Sequence, residues 1–437
     1  MRRKRSKARW TGTLIGALLC AGAVPASAAA NTLWVSQNTP SAPFNSCAHP
    51  AYDHIQEAIS SPATTIHVCG GTYAEQLTIQ RTVKITGYEG AKLALPASTA
   101  DSGSPCDTAN SESSGLPDQE AISICGPYTV SIKSLDVEAI WPGEPVGPSV
   151  SCSYSLAGVQ VAGGADLELI DSTVTGAAPK AINGCQYGVG VLIGLSDART
   201  LAVGTAKLSN DTIDGYQKNG IAVEGAGSEA TITKTTVTGA GENPTIAQNG
   251  IGVQLGAKGT ITRSTISGNE CSEASCGANA LSAYQADGVY FYEAAPGSSV
   301  SKSTIDGNDV GVEAYDATSA DPLIQHDTLE GDRWEAVSIA EGSATVNNDV
   351  MRNGTIGIQL LQYAGQSYGA TGAGAHDTIE GMSEWAVLGR SDKAKTDLPG
   401  EFSITSSKIS GNPGAKPQQS VESENPTSLK IYAEKDK

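Results

Sequence analysis

The sequence has few aromatic and few charged residues. Of its 437 residues, 5% are Phe, Trp or Tyr and 17% are Asp, Glu, Lys or Arg, whereas 50 residues are Gly. A large aromatic core is therefore excluded, and small and β-branched side chains must fill the interior. A narrow coil stacked on itself requires this composition.

Long apolar runs are absent after the first 30 residues. Residues 12–24 form an apolar run of 13 residues, which follows a basic start and precedes the small-residue sites Ala26-x-Ala28 and Ala28-x-Ala30. This run is too short to span a bilayer. We predict that residues 1–30 are a Sec-type secretory signal peptide, that the protein is secreted, and that it does not insert into a membrane.

Positive charge is scarce in the rest of the chain. Without the first 30 residues, which hold six basic and no acidic residues, 22 Lys and Arg face 46 Asp and Glu, a net charge near −24. Nucleic acids and anionic membranes bind surfaces of positive potential. The composition therefore argues against both as partners.

Eight cysteines follow the predicted signal peptide, and no Cys-x-x-Cys motif accompanies them. A structural zinc site is therefore disfavoured, and an even number in an exported protein favours disulfides. Because stacked coils keep sequence neighbours close, we predict the pairs Cys47–Cys69, Cys106–Cys125, Cys152–Cys185 and Cys271–Cys276.

One repeated phrase dominates residues 205–331. Each unit contains a short apolar run, a polar turn and a Thr-apolar-x-Gly run, and most units are followed by a Gly-rich apolar run. The units read KLSNDTIDG (207–215), TITKTTVTG (231–239), TITRSTISG (260–268), SVSKSTIDG (299–307) and LIQHDTLEG (323–331). This recurrence is typical of stacked β coils.

The region before the repeats resembles a known family. HIQEAI (54–59), IHVCGGTYAEQLTI (66–79) and VKITG (83–87) resemble the opening of pectin lyase-like right-handed parallel β-helices, although Gly70 stands where Pro is usual. The resemblance implies an all-β, single-stranded right-handed parallel β-helix (solenoid) over residues 31–411. Residues 412–437 would be a polar tail in which 428–434 add a closing strand. The spacing of Ile55, Ala58 and Ile59 predicts a short N-terminal capping helix, which would cover the end of the first coil.

Aligning the Thr-apolar-x-Gly phrases predicts one interior column: Val174, Ile213, Val237, Ile266, Ile305, Leu329, Met351, Ile379 and Ile409. The two residues before each phrase are expected to form the same bend in every coil, because Asn, Asp and Ser side chains bond nearby backbone groups. His326 and His376 fall at this bend. We interpret them as turn residues rather than catalytic bases.

The Gly-rich phrases predict two outer columns, since alternate residues of a strand point to opposite faces. The first is predicted to hold Gly190, Ala222, Gly252, Tyr290, Gly311, Ala336 and Gly357, and the second Leu192, Glu224, Gln254, Tyr292, Glu313, Ser338 and Gln359. A shallow trough with tyrosines and carboxylates suits an extended sugar chain. The predicted carbohydrate-binding residues are Tyr290, Tyr292, Glu313, Tyr315, Gln254, Glu224, Arg333 and Trp334. The alternative is that small outer residues only let a loop pack against the sheet.

No catalytic residue is assigned by the motifs of the family's enzymes. The polygalacturonase motifs Asn-Thr-Asp, Asp-Asp, Gly-His-Gly and Arg-Ile-Lys and the pectate lyase motif Trp-x-Asp-His are absent. Two carboxylates across a sugar could hydrolyse it, but in a chain with 46 acids neighbouring pairs arise by chance. The pairs considered are Asp306 with Asp309, Glu313 with Asp316, and Asp332 with Glu335; Arg333 beside Asp332 is the candidate for a lyase.

The sequence therefore predicts an exported β-helix whose lateral surface binds polysaccharide or a cell-envelope partner, without a cofactor. The alternative is a polysaccharide-degrading enzyme, either a glycoside hydrolase or a lyase, and calcium is expected only for a lyase. A third hypothesis is a structural rod. An enzyme should bring acids and a base together with shifted pKa values, a binding surface should align aromatic rings, and a rod should do neither.

Overall fold

The computed structural model describes residues 31–99, 105–106, 118–142, 155–195, 203–272, 276, 286–317, 321–362, 370–391, 400–411, 421–423 and 429–433. In these residues the chain forms three parallel sheets and one short helix. The predicted signal peptide and most of the predicted tail lie outside them. The architecture confirms the predicted all-β parallel solenoid.

Each sheet stacks the same part of successive coils, and the chain passes through sheets 1, 2 and 3 in turn. Sheet 1 has 14 strands: Thr32–Val35, Thr65–Val68, Val83–Gly87, Thr129–Lys133, Ala165–Ile170, Gly204–Ser209, Glu229–Thr233, Lys258–Thr262, Ser299–Ser301, Leu323–Gln325, Ser343–Asn347, Thr371–Ala375, Gly400–Thr405 and Leu429–Ala433. Sheet 2 has 12 strands: Gly71–Ala74, Ala91–Ala94, Asp136–Trp141, Thr173–Pro179, Thr212–Asp214, Thr236–Asn243, Thr265–Cys271, Thr304–Asp306, Thr328–Glu330, Val350–Arg352, Thr378–Glu380 and Lys408–Ser410. Sheet 3 has 12 strands: Leu77–Ile79, Asp118–Cys125, Ser155–Ala162, Val189–Gly194, Asn219–Glu224, Asn249–Gln254, Asp287–Tyr292, Val310–Tyr315, Glu335–Ala340, Ile356–Gln362, Trp385–Ser391 and Val421–Ser423.

The predicted interior column is confirmed and lies in sheet 2. Backbone pairing sets Ile213 beside Val174 and Val237, and the same register continues coil by coil to Ile409. From Val174 to Ile379 every member of the column is 0% exposed. We call this column the spine. Burying one such side chain contributes roughly 1.5–3 kcal/mol, so the spine is a main source of stability.

The predicted bend between sheets 1 and 2 is confirmed as a left-handed turn repeated along the stack. Its first residue has φ between 50° and 62° in each coil from Ser134 to Ser406. The backbone N–H of this residue donates to a carbonyl of the next coil, as from Lys302 to Gln325 O at 3.1 Å. His326 and His376 both occupy this position with φ of 58° and 60°. They are turn residues, as predicted.

The second residue of the bend is buried and links adjacent coils through its side chain. In some coils it is Ser: Ser264 Oγ accepts the N–H of Thr235 at 3.2 Å and donates to its own coil's Thr262 O. In others it is Asp: the carboxylate of Asp349 accepts the N–H groups of Asp327 at 2.6 Å and Asn347 at 3.0 Å. Burial raises the pKa of Asp349 to about 8, while these N–H bonds oppose the shift.

A column of inward-facing glycines lets sheet 3 approach the spine. A Cβ on Gly250 would lie 2.5 Å from Gly288 O and 2.5 Å from Ile266 Cγ2. The equivalent glycines meet the same two kinds of neighbour, a backbone carbonyl of the next coil and a spine side chain: Gly158, Gly190, Gly220, Gly288, Gly311 and Gly357. A Cβ at any of these glycines would therefore require movement of the backbone, whereas Ala336 and Ala386 occupy the equivalent position in two other coils.

The one helix in the described part of the chain is Ile55–Ser60. The carboxylate of Glu75 accepts its first two backbone N–H groups at 2.9 Å each, and Arg81 donates to carbonyls at its other end. The side-chain amide of Gln56 bonds both the N–H and the C=O of Thr78, in the end strand of sheet 3. Backbone groups that would otherwise lie unpaired at this edge are thereby bonded.

Three of the predicted disulfides are present: Cys47–Cys69, Cys106–Cys125 and Cys271–Cys276. Cys185 is also disulfide-bonded, while its predicted partner Cys152 lies outside the described residues. At the other end of the stack, Leu429–Ala433 pairs in parallel with Gly400–Thr405. Within the described ranges, no helix is both long enough and apolar enough to cross a membrane.

Candidate functional site

The outer face of sheet 3 carries most of the predicted site, but its columns differ from the prediction. Pairing places Tyr290 between Gly252 and Glu313, and Tyr292 between Gln254 and Tyr315. The prediction that Gly311 adjoins Tyr290 and that Glu313 adjoins Tyr292 was wrong by two residues. The same two-residue error affects other coils: Gly190, Ala336 and Gly357 point inward, and Leu192, Ser338 and Gln359 belong to the column of Tyr290.

The error has a physical cause. The Gly at the start of each strand faces the spine, so the first outward residue of the column comes two positions later. The first outer column is Gln160, Leu192, Ala222, Gly252, Tyr290, Glu313, Ser338, Gln359 and Leu388. The second is Gly194, Glu224, Gln254, Tyr292, Tyr315, Ala340, Leu361 and Arg390.

Three tyrosines form an aromatic row on this face, which we call the tyrosine row: Tyr290, Tyr292 and Tyr315. The rings of Tyr290 and Tyr292 lie 5.8 Å apart at 12°, and those of Tyr292 and Tyr315 lie 5.4 Å apart at 18°. All three side chains are half-buried, and burial raises the pKa of each hydroxyl. The rings are thus neutral, nearly parallel and held in place by one another.

A depression lies beside the tyrosine row. Gly252 is the direct neighbour of Tyr290, and a Cβ built on Gly252 would meet nothing within 4 Å. Along its side, Gln254 Nε2 donates to Glu224 Oε1 at 2.6 Å. The predicted residues Glu224, Gln254, Tyr292 and Tyr315 therefore follow one another on successive coils, with Tyr290 and Glu313 beside them.

Three carboxyl groups form an acid cluster next to the tyrosine row: Asp287, Glu313 and Glu335. Burial raises the pKa of Glu313 to about 7. Burial also holds the pKa of Asp287 and of Glu335 well above the ordinary range, and the charge of Glu313 acts on both in the same direction. Adjacent acids in a poorly solvated place therefore hold protons near neutral pH.

A half-buried lysine, Lys218, adjoins the acid cluster. Lys218 donates to Ala247 O at 2.6 Å, and burial lowers its pKa, although the nearby charge of Asp287 opposes this. Gln359 Nε2 donates to Glu335 Oε1 at 2.6 Å. Among the described residues, Asp287 Oδ1, Glu335 Oε2 and Ser338 Oγ are buried polar atoms without a hydrogen-bond partner. Such atoms are few in folded proteins, and the described residues hold others outside the acid cluster, such as Asp377 Oδ2.

Arg333 and Trp334 lie at the other end of these strands, before Glu335–Ala340, and do not join the tyrosine row. The Arg333 guanidinium lies 4.8 Å from the centre of the Trp334 ring, donates to Cys271 O at 2.9 Å and approaches Asp309 Oδ1 at 3.6 Å. Burial raises the pKa of Asp309 to about 6. Asp306, its predicted partner, is exposed on sheet 2.

Sequence reasoning missed two features. Lys218 belongs to no recognisable sequence motif, and it lies near Asp287 only because the coils are stacked. A second aromatic group lies at the start of sheet 1, where the Trp34 ring is 4.6 Å from His67 and 5.5 Å from Tyr88. The signal for it was the pairing of Trp34 with His67 in successive coils. Within the described residues, no three His, Cys, Asp or Glu side chains are arranged to hold a metal ion.

Part of the chain matches a known family model. A family model described as right handed beta helix region matches residues 199–370. A comparison with curated proteins found no match. Similar solved structures include the catalytic domain of GH87 alpha-1,3-glucanase in complex with nigerose (12% identity, TM-score 0.40, 86% of this chain and 65% of that chain). They also include the GH136 lacto-N-biosidase from Eubacterium ramulus (10%, 0.47, 92% and 68%) and a double mutant of the periplasmic alginate epimerase AlgG (11%, 0.36, 84% and 76%). The chain thus spans less than two thirds of the glucanase chain.

Proposed function

We propose that this right-handed parallel β-helix is an exported protein that binds a linear polysaccharide, which runs along the stack of coils on the outer face of sheet 3. The observation that supports this most is the tyrosine row, in which two ring pairs lie within 18° of parallel. Aromatic faces pack against the apolar faces of sugar rings. Rings already held in place lose little entropy when a ligand binds.

The surroundings of the tyrosine row support the same proposal. Gly252 leaves room beside Tyr290 for a sugar ring. Glu224 and Gln254 supply a carboxylate and an amide, which bond sugar hydroxyls, and their mutual hydrogen bond fixes both. The stacking of coils repeats these groups about every 4.8 Å. A polymer that runs along the stack would meet them one after another.

The cellular place of the protein is part of the proposal. The predicted signal peptide would direct export, and disulfides such as Cys47–Cys69 are typical of oxidising compartments. An exported binding protein meets polysaccharides of the surroundings and of the cell envelope. We infer that its ligand is one of these, and that no nucleic acid binds sheet 3, since acidic residues far outnumber basic ones in the chain.

Binding can be tested with Tyr292→Ala and Tyr315→Ala, measured by affinity electrophoresis in gels that contain members of a polysaccharide panel. We expect each variant to weaken binding of the retained glycan by about tenfold, which corresponds to roughly 1.4 kcal/mol of stacking. Tyr88→Ala is the matched control, because Tyr88 also belongs to an aromatic group. Unchanged retention in the two sheet 3 variants, or loss only in the control, would contradict the proposal.

Cleavage of the bound polysaccharide is a second candidate function, and the acid cluster favours it. Glu313, with a pKa raised to about 7, would be protonated in part at neutral pH and able to donate a proton to a glycosidic oxygen. Asp287 or Glu335 would serve as the second carboxyl group only in its ionised form, which the raised pKa of both disfavours at neutral pH. Lys218, with its lowered pKa, is instead the base that a lyase would need.

Cleavage can be tested by incubating the protein with the same panel, with and without calcium, and measuring new reducing ends and unsaturated products. A hydrolase would give reducing ends without unsaturation, and Glu313→Gln would abolish them while binding remained. A lyase would give unsaturated products. Binding without either product would leave recognition as the function and exclude cleavage of the glycans tested.

A further inference from the structure

A row of cations follows the bend between sheets 1 and 2, on a different side of the molecule from sheet 3. Lys234, Arg263 and Lys302 occupy the first bend position in three consecutive coils, and all three are exposed. Backbone N–H groups hold the coils in register here: Lys234 donates to Thr262 O and Arg263 donates to Ser301 O, both at 3.0 Å. We call these three residues the corner row. His326 continues it in the next coil.

The backbone does not favour these residue types. Their φ values are 52°, 52° and 56°, in the left-handed region that Gly and Asn adopt more readily than Lys or Arg. The same bend position holds Asn210 and Asn348 in other coils, so Asn is accepted there. Three consecutive cations therefore cost backbone energy that Asn would not.

Local pairing does not account for the charges either. In the described part of the chain, none of the three has a carboxylate within ion-pair distance. Neighbouring coils lie about 4.8 Å apart, so the cations also repel one another. The chain as a whole is strongly acidic. Because these three cations have no acidic partner within the described residues, an anionic ligand is the kind of partner that suits them.

The surface around the corner row consists of hydroxyl groups. The outer residues on the two sides are Thr233, Thr262 and Ser301 on sheet 1, and Thr236, Thr265 and Thr304 on sheet 2. The nearest acidic side chain on the outer face of this strand of sheet 2 is Asp306, two residues after Thr304. Anionic and hydroxyl groups of a ligand would thus meet cations in the middle and hydrogen-bonding groups on both sides.

We infer that the corner row is a binding site for a linear anionic polysaccharide, whose carboxylate or sulfate groups pair with Lys234, Arg263 and Lys302. The site is separate from the tyrosine row and does not depend on it. A periodic ligand suits it because every coil offers the same group in the same place. In physiological salt, exposed charges more than about 8 to 10 Å apart are largely screened from each other. A ligand bound at the corner row is therefore attracted mainly by these three cations and is little repelled by the acidic residues farther away.

The surroundings favour a polysaccharide over a nucleic acid. Single-stranded nucleic acids bind through aromatic stacking as well as charge, and the residues beside the corner row are Thr and Ser. Duplex DNA binding rests on neutralising many phosphates at once. Three cations on a protein with net negative charge provide too few contacts for that.

The test compares a triple variant, Lys234→Asn, Arg263→Asn and Lys302→Asn, with the unaltered full chain. Asn is chosen because it occupies the same bend position natively. The matched control is Lys84→Gln, Lys207→Gln and Lys408→Gln, which removes three exposed cations elsewhere on sheets 1 and 2. Affinity electrophoresis at constant ionic strength would use dextran sulfate, a polyuronate, uncharged dextran and single-stranded DNA as probes.

We expect the unaltered protein to bind dextran sulfate or the polyuronate but not dextran, and the two anionic probes distinguish sulfate from carboxylate. The triple variant should bind about tenfold more weakly, the control triple should match the unaltered protein, and Tyr292→Ala should retain this binding. The inference is overturned if neither anionic probe binds, if only DNA binds, if the control triple loses as much affinity as the corner variant, or if only Tyr292→Ala loses it.

Discussion

The protein is expected to lose stability as pH rises from 5 to 7, and Asp349 provides the sharpest test of this. Burial raises the pKa of its carboxyl from 3.8 to about 8, and the charges of Asp327 and Asp377 act in the same direction. The backbone N–H groups of Asp327 and Asn347 oppose the shift. The pKa of Asp349 therefore depends on whether the loss of water around the carboxylate outweighs its two hydrogen bonds.

The free energy of unfolding falls with rising pH because the folded protein binds more protons than the unfolded chain. Between pH 4 and pH 8 the unfolded chain has released the proton of this carboxyl, whereas the folded protein still holds it. The free energy of unfolding then falls by about 1.4 kcal/mol per pH unit for each such group. From pH 5 to pH 7, Asp349 would account for a loss of up to about 2.7 kcal/mol. The buried bend residues Asp211, Asp327 and Asp377, with pKa values raised to about 7, act in the same direction.

The assay is urea unfolding followed by circular dichroism at pH 5, 6 and 7 and constant ionic strength, for the unaltered protein and Asp349→Ser. Ser is the matched replacement, because Ser264 and Ser303 hold the equivalent position and accept the same kind of N–H bond. We expect the loss of stability from pH 5 to pH 7 to shrink by about 2 kcal/mol in the variant. Asp306→Ser, at an exposed carboxylate, should leave the loss unchanged. Equal pH dependence in the unaltered protein and Asp349→Ser, or stability that rises with pH, would show that the N–H bonds keep this carboxyl ionised.

Three further predictions concern single residues and are measured by urea unfolding at one pH. Gly250→Ala is expected to destabilise the protein by about 1–3 kcal/mol, because its Cβ would overlap Gly288 O and Ile266. Gly252→Ala, two residues away, should be nearly neutral because there is open space around the new Cβ. Equal effects of the two substitutions would contradict the assignment of inner and outer columns. Glu75→Gln is expected to cost about 1–2 kcal/mol, since it removes charge and one acceptor from the start of Ile55–Ser60, whereas Glu57→Gln on the exposed side of the helix should cost little. Lys302→Asn is expected to raise the free energy of unfolding by up to about 1 kcal/mol because Asn tolerates a φ of 56° better; a clear loss of stability would mean that the Lys side chain supports the fold.

The parts of the fold that recur once per coil could be predicted from the sequence. Thr-apolar-x-Gly phrases locate the spine because each supplies one apolar residue with a Thr on one side, and the polar pair before them locates the bend. The outer columns of sheet 3 were harder. A strand such as Asn249–Gln254 contains two glycines, Gly250 facing inward and Gly252 facing outward, and sequence alone does not distinguish them.

The candidate site could be predicted only in part for a related reason. Tyr290, Tyr292 and Tyr315 are recognisable because aromatic residues are rare in this chain. The acid cluster depends on which carboxyl groups are buried, and that depends on packing rather than on residue type. Asp287 and Glu335 occur among many acids, and only the pairing of Val310 with both residues shows that they flank one coil. The approach of Lys218 to Asp287 required the same information.

The spine also determines how far the effect of a destabilising substitution spreads through the stack of coils. Each coil touches only the coil above and the coil below, so cohesion is local and adds up along the axis. Replacing a central member such as Ile266 with a polar residue would break the chain of neighbour contacts at one point and leave two shorter stacks, each able to fray from the new end. A similar change near Ile409 would trim only the last coils. The effect of a destabilising substitution should therefore depend on its position along the axis, and substitutions in the middle of the stack should be the most disruptive.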